Sequence, residues 1–309
     1  TANNFEFATR ALGMNTTEAA RLQRQLLTFA QDLGVSGDKI ARDFERFGAN
    51  IAALGDKGVD AFLRLEMQAK ATGLAIEDIV SLTDQFNKFS DESSTVVVVD
   101  LLRATSVIST AFECGVKEII PVQSIEEALS FKNKPNHIIA GERNTLKVEG
   151  FDYGNSPFHY INGDVLGKTL VLTTTNGTKA IHIGKKHKLI TASFINIDEV
   201  VKYLVNDNND VIILCSGWKD FFNLEDTIFA GALSQRLLSY HFEGICDSMY
   251  ASIELFENAK NDLFGYLSKS SYRSRNSSDS IIKDTKFCLN PTIKSSIVPI
   301  FSKGRLIKA

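Results

Sequence analysis

Short apolar segments that end in polar side chains constrain the fold of this 309-residue chain more than any other feature. Residues 95–99 read TVVVV and are followed by Asp100, so a β-branched run ends on a carboxylate. Continuous apolar runs of this kind are typical of strands buried on both faces of a parallel sheet. Four later runs end in the same way: residues 137–143 (HIIAGER), 168–176 (KTLVLTTTN), 188–194 (KLITASF) and 210–217 (DVIILCSG). Ligands of open α/β sheets bind beyond the carboxyl ends of the strands, so we expect the five endings to form one polar site.

Segments with helical patterns follow these strands, as a βαβ arrangement requires. Ser124 and Asn196 occupy N-cap positions, and each is followed three residues later by a glutamate, the pattern of a capping box. The expected helices cover residues 103–114, 124–132, 179–184, 196–205 and 224–238, and a further strand covers 117–122. The sequence therefore predicts an α/β domain over residues 94–309, in which helices flank a mostly parallel sheet.

The first 93 residues differ in composition from the rest of the chain. All of the Pro, Cys, His and Tyr residues and the single Trp lie beyond residue 90. Asn15 and Glu18 have capping-box spacing, and apolar residues recur every three or four positions. The apolar stripes are Leu22, Leu26, Phe29 and Leu33, then Ile40, Phe44, Phe47 and Ile51, then Ile76, Ile79, Phe86 and Phe89, with Gly34, Gly55 and Gly73 at expected helix ends. We therefore predict an all-α segment over residues 1–93. One interpretation is that this segment is a fusion partner of the α/β domain.

Composition and charge exclude several classes of protein. A net charge of −3 and a pI near 6.0 give no reason to expect nucleic-acid binding. The apolar runs are shorter than a membrane span requires, and the N-terminus lacks the layout of a signal peptide. The four cysteines are scattered without CxxC spacing, which favours reduced thiols over disulfides or zinc ligands. We expect a cytoplasmic protein without nucleic-acid or membrane partners, and leave a homo-oligomer open.

Carboxylates are the first chemical group at the predicted site. Asp100 and Glu142 end strands, and Glu225 and Asp226 follow the strand that ends in Ser216. Oxygen ligands without clustered His or Cys suit Mg²⁺ rather than zinc. Acidic residues in the first turn of a helix also complement the helix dipole, and that interpretation of Glu225 and Asp226 stays open.

Anion-binding groups accompany the carboxylates. Arg103 and Arg143 can each bind a phosphate or a sulfonate bidentately. Residues 173–178 (TTTNGT) open a helix, so their hydroxyl and backbone N–H groups can hold an oxyanion. A metal, arginines and an anion loop together indicate phosphoryl chemistry. Thr-Asn-Gly is also a common turn, and a buried Arg–Glu pair can be structural. The chain contains no GxGxxG or GxxxxGK[ST] motif, which argues against a dinucleotide or P-loop site.

Five strings carry a resemblance to a known family. They are VVVVDLLRATSVISTAF (96–112), IIAGERNTLKVEGFDYGNSP (138–157), KTLVLTTTNGTKAI (168–181), ASFIN (192–196) and CSGWKDFFNLEDTIFAGAL (215–233). In wording, order and spacing they resemble the 2-phosphosulfolactate phosphatase family from about residue 94 to the C-terminus. The resemblance implies an α/β fold, dependence on Mg²⁺ and hydrolysis of 2-phospho-3-sulfolactate to 3-sulfolactate and phosphate. It also implies a place in coenzyme M biosynthesis and related sulfonate metabolism.

The resemblance and the strand endings together give a set of expected site residues. The expected catalytic residues are Asp100, Arg103, Glu142 and Arg143, and the expected metal ligands are Asp100, Glu142, Glu225 and Asp226. The expected substrate-binding residues are Thr105, Asn155, Ser156, Thr174, Thr175, Asn176, Gly177, Thr178 and Ser193. Trp218 is expected either to line the pocket or to serve packing alone. Arg273 and Arg275 are expected either to bind an anion or to lie on an exposed loop.

Two further questions stay open at the level of sequence. Residues 1–93 resemble a segment of a phage tail tape-measure protein, and they stand where the family has a short opening strand. An alternative function is therefore a structural or scaffold protein with an inactive phosphatase-like domain. For the chemistry, Asp100 can act as a nucleophile or as a metal ligand with water attacking directly. We favour water, because Leu101 and Leu102 follow Asp100 and no second acid stands two residues away.

Overall fold

The structure is a computed structural model that describes residues 14–46, 59, 62–63, 66–67, 93–218 and 221–309. The chain divides into two compact units, residues 1–82 and 83–309. A domain boundary at residue 93 stays a prediction. The third apolar stripe of the leading segment lies outside the described residues. So do the end of the second stripe, Phe47 and Ile51, and the expected helix ends Gly55 and Gly73.

The first unit contains helices α1 (Thr16–Leu33) and α2 (Gly37–Arg46). The Asn15 side chain accepts the backbone N–H of Glu18 at 3.0 Å, and Glu18 accepts the Asn15 N–H at 2.9 Å. This capping box satisfies N–H groups that have no partner within the helix. Gly34 ends α1 with φ of 61°, a left-handed conformation that glycine adopts without strain. The predicted beginning and end of this helix are confirmed.

Apolar side chains at helical spacing form the core of the first unit. Phe44 and Phe62 pack edge to face with their ring centroids 5.1 Å apart, and both rings are buried. The other buried residues of this core are Ala19, Leu22, Leu26, Ala30 and Ile40. Every regular element of this unit in the described residues is helical, which confirms the all-α prediction.

The second unit is an α/β fold around one sheet. Its strands are β1 (Thr95–Val99), β2 (Glu118–Pro121), β3 (His137–Arg143), β4 (Leu146–Lys147), β5 (Thr169–Thr173), β6 (Lys188–Ala192), β7 (Val211–Cys215), β8 (Pro299–Ser302) and β9 (Arg305–Lys308). They pair in the order β4-β3-β5-β2-β9-β8-β6-β1-β7. All five predicted strand runs are confirmed, and the strand predicted over 117–122 is β2.

Helices connect and cover the strands. They are α3 (Ala104–Glu113), α4 (Ile125–Leu129), α5 (Pro157–Ile161), α6 (Gly177–Gly184), α7 (Ile197–Asp207), α8 (Leu224–Leu237), α9 (Asp247–Ala259), α10 (Leu263–Tyr266), α11 (Ser271–Arg275) and α12 (Asp279–Cys288). Each of the helices expected from the sequence is present, although α4 is shorter than the predicted 124–132. Within the described residues, no helix combines the length and the apolar character that crossing a membrane requires.

The sheet contains two parallel triplets, and β4 pairs antiparallel with β3 at one edge. Strands β3, β5 and β2 are mutually parallel, and so are β6, β1 and β7. The β8–β9 hairpin joins the triplets through antiparallel pairings with β6 and β2. The triplets therefore run in opposite senses, and a flat sheet would place their carboxyl ends at opposite edges. Helix α3 is buried along nearly its whole length and shares a core with strands of both triplets.

Close packing of α8 on α9 gives a first testable prediction. A Cβ at Gly231 would lie 1.9 Å from the backbone oxygen of Ser252, so the two helices approach too closely for any side chain. The Gly231→Ala variant should therefore lower the free energy of unfolding by about 1–3 kcal/mol, the usual range for overpacking. Denaturant titration measures this change. A variant as stable as the parent chain would show that α8 and α9 can separate without loss.

Candidate active site

A cavity of about 250 Å³ lies where four of the five predicted strand endings meet. Asp100 follows β1, Glu142 ends β3, Thr175 follows β5, and Gly217 and Trp218 follow β7. The predicted site residues that line this cavity are Asp100, Arg103, Glu142, Asn155, Thr175, Asn176 and Glu225. Trp218 lines it as well, which resolves its role in favour of the pocket. Because β1 and β7 run opposite to β3 and β5, a single common edge of a flat sheet does not account for this meeting point.

Asp100 lies at the end of β1 beside the start of α3. Its Oδ1 accepts the backbone N–H of Ala104 at 3.3 Å. A Cβ at Gly177 would lie 2.8 Å from Asp100 Oδ2, so glycine at the start of α6 makes room for the carboxylate. Burial raises the pKa of Asp100, and the nearby carboxylates of Asp226 and Glu142 raise it further. A positive charge beside Asp100 would relieve this repulsion.

Glu225 places a second carboxylate in the cavity. Its side chain is buried, and Oε2 has no hydrogen-bond partner among the described residues. Burial and the charge of Asp100 raise the pKa of Glu225 to about 7. Asn155 lines the same cavity, and its Oδ1 is also buried without a described partner. Buried oxygens are normally hydrogen-bonded, so two unpartnered ones in one cavity indicate a site for a ligand.

Asp226 has a different surrounding from its neighbour. Its Oδ1 accepts the N–H of Leu101 at 2.8 Å, and its Oδ2 accepts the N–H of Gly217 at 3.1 Å and the amide of Asn223 at 3.0 Å. These bonds join the end of β1, the end of β7 and the first turn of α8. Burial and the charge of Glu225 raise the pKa of Asp226. Asp226 does not line the cavity, and its bonds hold the strand ends together. Its role as a metal ligand stays a prediction.

Glu142 organises two loops at the cavity wall. Its Oε2 accepts the N–H of Thr145 at 2.8 Å, and its Oε1 accepts the N–H and the hydroxyl of Thr175 at 2.9 and 2.8 Å. Asn144 and Thr145 have φ of 52° and 67°, a strained conformation for a β-branched residue. The bonds to Glu142 hold this turn in place. Both carboxylate oxygens of Glu142 thus bind the protein itself.

Arg103 lies in the cavity wall and forms a buried ion pair. Its Nη1 pairs with Asp284, and its Nη2 donates to the backbone oxygen of Thr145 at 3.0 Å. The other oxygen of Asp284 accepts the hydroxyl of Ser156 at 2.6 Å. Both ionic side chains are almost completely buried. Ser156 thus supports Arg103 through Asp284, and the cavity itself does not include Ser156.

The remaining predicted site residues bond to the protein and do not line the cavity. Arg143 donates to the backbone oxygen of Glu142 at 2.7 Å and to the hydroxyl of Thr173 at 3.0 Å. The Thr105 hydroxyl donates to the backbone oxygen of Asp100 at 3.0 Å. These bonds stabilise the strand ends, and other residues line the cavity.

In the loop at residues 173–178, which was expected to bind an oxyanion, several N–H and hydroxyl groups bond to one another. Thr178 N–H donates to the Thr174 hydroxyl at 3.1 Å, and Thr174 N–H donates to the Thr178 hydroxyl at 3.2 Å. Ser193 is fully buried, and its N–H donates to Asn196 at 2.9 Å. Thr174, Gly177, Thr178 and Ser193 therefore fix the backbone around the cavity without lining it.

The C-terminal helices supply cavity residues that the strand endings did not predict. Tyr272, Arg275 and Asn276 line the cavity from α11 and its C-cap, and Asp284 reaches Arg103 from α12. The basic stretch around Arg273 and Arg275 was the only signal, and it left both roles open. The structure separates the two arginines, because Arg273 stacks on Phe264 and does not line the cavity.

The residues of the cavity fit a magnesium ion through two carboxylates. Within the described ranges, no three His, Cys, Asp or Glu side chains form a group that could hold a metal ion. Mg²⁺ is often bound by only one or two carboxylates, with waters and substrate phosphate completing the shell. Asp100, Glu225 with its unpartnered oxygen, and Asn155 provide such a donor set.

Carboxylates and arginines in one cavity of an α/β fold define this unit as an enzyme that acts on a small molecule. The sequence profile of the 2-phosphosulpholactate phosphatase family matches residues 80–304. The chain belongs to this family, which is a family of phosphoric monoester hydrolases. The resemblance found in the motifs is thereby confirmed, whereas the resemblance of residues 1–93 to tape-measure proteins stays a prediction.

Several relatives share most of their length with this chain. A probable 2-phosphosulfolactate phosphatase from Thermotoga petrophila is 43% identical over 216 residues, which cover 70% of this chain and 92% of that protein. One from Caldanaerobacter subterraneus is 36% identical over 228 residues, covering 72% and 94%. One from Clostridium kluyveri is 38% identical over 231 residues, covering 74% and 95%. The similarity thus spans nearly the whole of each relative.

Proposed function

We propose that this chain hydrolyses 2-phospho-3-sulfolactate to 3-sulfolactate and phosphate with the help of Mg²⁺. The observation that carries the proposal is one cavity in which Asp100 and Glu225 lie together with Arg103 and Arg275. Carboxylates suit a hard cation, and guanidinium groups suit phosphate and sulfonate oxygens. The names of the relatives at 36–43% identity support the same substrate.

Four cavity residues, Asp100, Glu225, Asn155 and Arg103, have roles in this proposal. Asp100, Glu225 and Asn155 would hold the ion, which when bound neutralises charge on the phosphoryl group and activates water. Arg103, held by Asp284 and by the Thr145 carbonyl, binds an anionic group of the substrate. Burial of these groups strengthens their electrostatic interactions relative to those in water.

We favour direct attack by water over a phosphorylated Asp100, and rapid-quench analysis for a phosphorylated Asp100 peptide distinguishes the two routes.

The metal gives the second testable prediction. Phosphate release should stop in EDTA and return with Mg²⁺, because the two carboxylates repel each other and the substrate without a cation. Calorimetry should show that Glu225→Gln binds Mg²⁺ at least about tenfold more weakly, since one of two charged ligands is lost. Glu199→Gln is the matched control, because Glu199 lies in the first turn of α7, outside the cavity. Full activity in EDTA would contradict the proposal.

The scaffold alternative has a specific support and a specific test. It rests on the helical first unit, which stands where the family has an opening strand. The cavity nevertheless contains Asp100, Arg103, Glu142 and Glu225, all of which a decayed site could lose. Phosphate release from 2-phosphosulfolactate should be compared for the full chain and for a chain that begins at Ser94. Activity of the full chain excludes the scaffold role, and activity of the shorter chain alone shows that residues 1–93 inhibit the enzyme.

The biological setting is part of the proposal. The product is a sulfonate of the kind used in coenzyme M biosynthesis and related sulfonate metabolism, and we propose a cytoplasmic enzyme. Three free cysteines lie at least partly within the fold and one is exposed, as expected of reduced thiols. We propose a small phosphorylated sulfonate as the partner, without nucleic acid, and leave a homo-oligomer open.

A further inference from the structure

One turn of helix presents two unassigned side chains to the cavity. Tyr272 and Arg275 both belong to α11 and both line the cavity. They are three residues apart, which places them on the same face of the helix. Arg273, between them, points elsewhere: it donates to the backbone oxygen of Phe264 at 3.4 Å and stacks on that ring at 3.9 Å. The helix thus separates two cavity residues from a structural one.

Tyr272 brings a buried hydroxyl without a partner. Its side chain is 6% exposed, and its hydroxyl has no hydrogen-bond partner among the described residues. Burial keeps the pKa of Tyr272 well above its usual range, so the hydroxyl retains its proton at neutral pH. A buried donor is unfavourable unless it has a hydrogen-bond acceptor, which a ligand in the cavity can supply.

Arg275 places a guanidinium group over the Trp218 ring at the cavity wall. It stacks on Trp218 at 3.6 Å from the ring centroid, and its Nε donates to the backbone oxygen of Ser271 at 2.8 Å. That bond engages the inner nitrogen and not the two terminal ones. Stacking on an aromatic ring orients the planar group, which reduces the entropy lost when it binds an anion. Arg275 also lies near enough to Glu225 and Tyr272 to interact with both electrostatically.

We propose that Tyr272 and Arg275 bind the sulfonate, one of the three acidic groups of the substrate, and thereby determine specificity. This inference rests on the proposed phosphatase function, with the phosphoryl group at Asp100 and Glu225. A sulfonate is permanently ionised and carries three acceptor oxygens, so a tyrosine hydroxyl and a guanidinium group can bind it together. The four arginines near the site then have different roles. Arg103, held by Asp284, binds another anionic group of the substrate, and Arg275 binds the sulfonate. Arg143 and Arg273 stabilise the fold.

The test compares two substrates that differ only in the sulfonate. Phosphate release is measured from 2-phosphosulfolactate and from 2-phospholactate, and the ratio of the two kcat/KM values is the readout. Arg275→Ala should lower this ratio by roughly 10- to 100-fold, the effect of one or two charge-assisted hydrogen bonds. Tyr272→Phe should lower it by several-fold, and Arg275→Lys should restore part of it. Arg273→Ala, on the same helix, is the matched control and should leave the ratio within about twofold.

Binding of the product separates this inference from the function on which it rests. Calorimetry should show that 3-sulfolactate binds the parent chain at least about tenfold more tightly than the Arg275→Ala variant. If the parent chain binds 3-sulfolactate through Arg275 but releases no phosphate, the phosphatase function fails and the sulfonate subsite stands. If Arg275→Ala lowers both kcat/KM values equally, or binds 3-sulfolactate as tightly as the parent chain, the subsite is overturned.

Discussion

The Asp100→Asn variant should lose turnover of 2-phosphosulfolactate by about 1000-fold or more, the scale seen when a central catalytic group is removed. Asparagine retains the size of the side chain and an acceptor for the Ala104 N–H, but it loses the charge needed to hold a cation. The same change removes a buried charge and its repulsion with Asp226 and Glu142, which together raise the pKa of Asp100. The variant should therefore be folded, with a melting temperature equal to or above that of the parent chain. Steady-state kinetics and calorimetric melting measure both effects.

An exposed aspartate provides the control for this substitution. Asp210 lies directly before β7, on an exposed position away from the cavity. Asp210→Asn changes the net charge by the same amount and should keep kcat and KM within about twofold. Unchanged activity of Asp100→Asn would remove Asp100 from the chemistry. A loss of activity accompanied by a fall in melting temperature would give Asp100 a structural role instead.

The Asp284→Ala variant should lower the free energy of unfolding by about 3–5 kcal/mol, because it leaves a buried guanidinium group without its partner. Arg103 and Asp284 are 5% and 3% exposed, so water cannot replace the lost carboxylate. Ser156 loses its acceptor in the same substitution. Activity should fall as well, since Arg103 is then held only through the Thr145 carbonyl. Denaturant titration and phosphate release measure the two effects.

Asp198 provides a matched surface pair. It bridges Arg236 and Lys294, as Asp284 bridges Arg103 and Ser156, but its side chain is 44% exposed. Asp198→Ala should change the free energy of unfolding by no more than about 1 kcal/mol, because exposed ion pairs contribute little. Equal effects of Asp198→Ala and Asp284→Ala would mean that burial does not decide the strength of these pairs, contrary to our account.

The sequence predicted the local features of the fold because short-range patterns determine them. The run before Asp100 is a buried strand, the box formed by Asn15 and Glu18 begins a helix, and Gly34 ends it. The opposite senses of the two parallel triplets could not be predicted. They depend on the C-terminal hairpin β8–β9, which inserts between β2 and β6 from far along the chain.

The sequence likewise predicted some residues of the candidate site and not others. The strand-end rule placed Asp100, Glu142 and Thr175 in one site, and all three line one cavity. A common edge of the sheet is not the reason, because β1 runs opposite to β3 and β5. The same rule included Thr174 and Ser193, whose side chains turn into the protein and bond there. Residue type cannot distinguish a threonine that binds a ligand from one that binds its own loop.

No local sequence pattern predicted that residues of the C-terminal helices belong to the site. Tyr272 and Arg275 sit in a five-residue helix, and Asp284 lies in a helix that no strand precedes directly. Their approach to the cavity depends on how α11 and α12 pack onto the sheet. Only a long-range contact, such as that between Arg103 and Asp284 across 181 positions, shows it.

The most direct test of the account is to locate a divalent cation and the product in the same crystal of the full chain. Mn²⁺ has ligand preferences close to those of Mg²⁺ and scatters anomalously, so crystals grown with Mn²⁺ and 3-sulfolactate would show the ion directly. We expect an anomalous peak bound to Asp100 and Glu225, with the sulfonate beside Tyr272 and Arg275. An ion bound away from Asp100 and Glu225, in an enzyme that still releases phosphate, would contradict it.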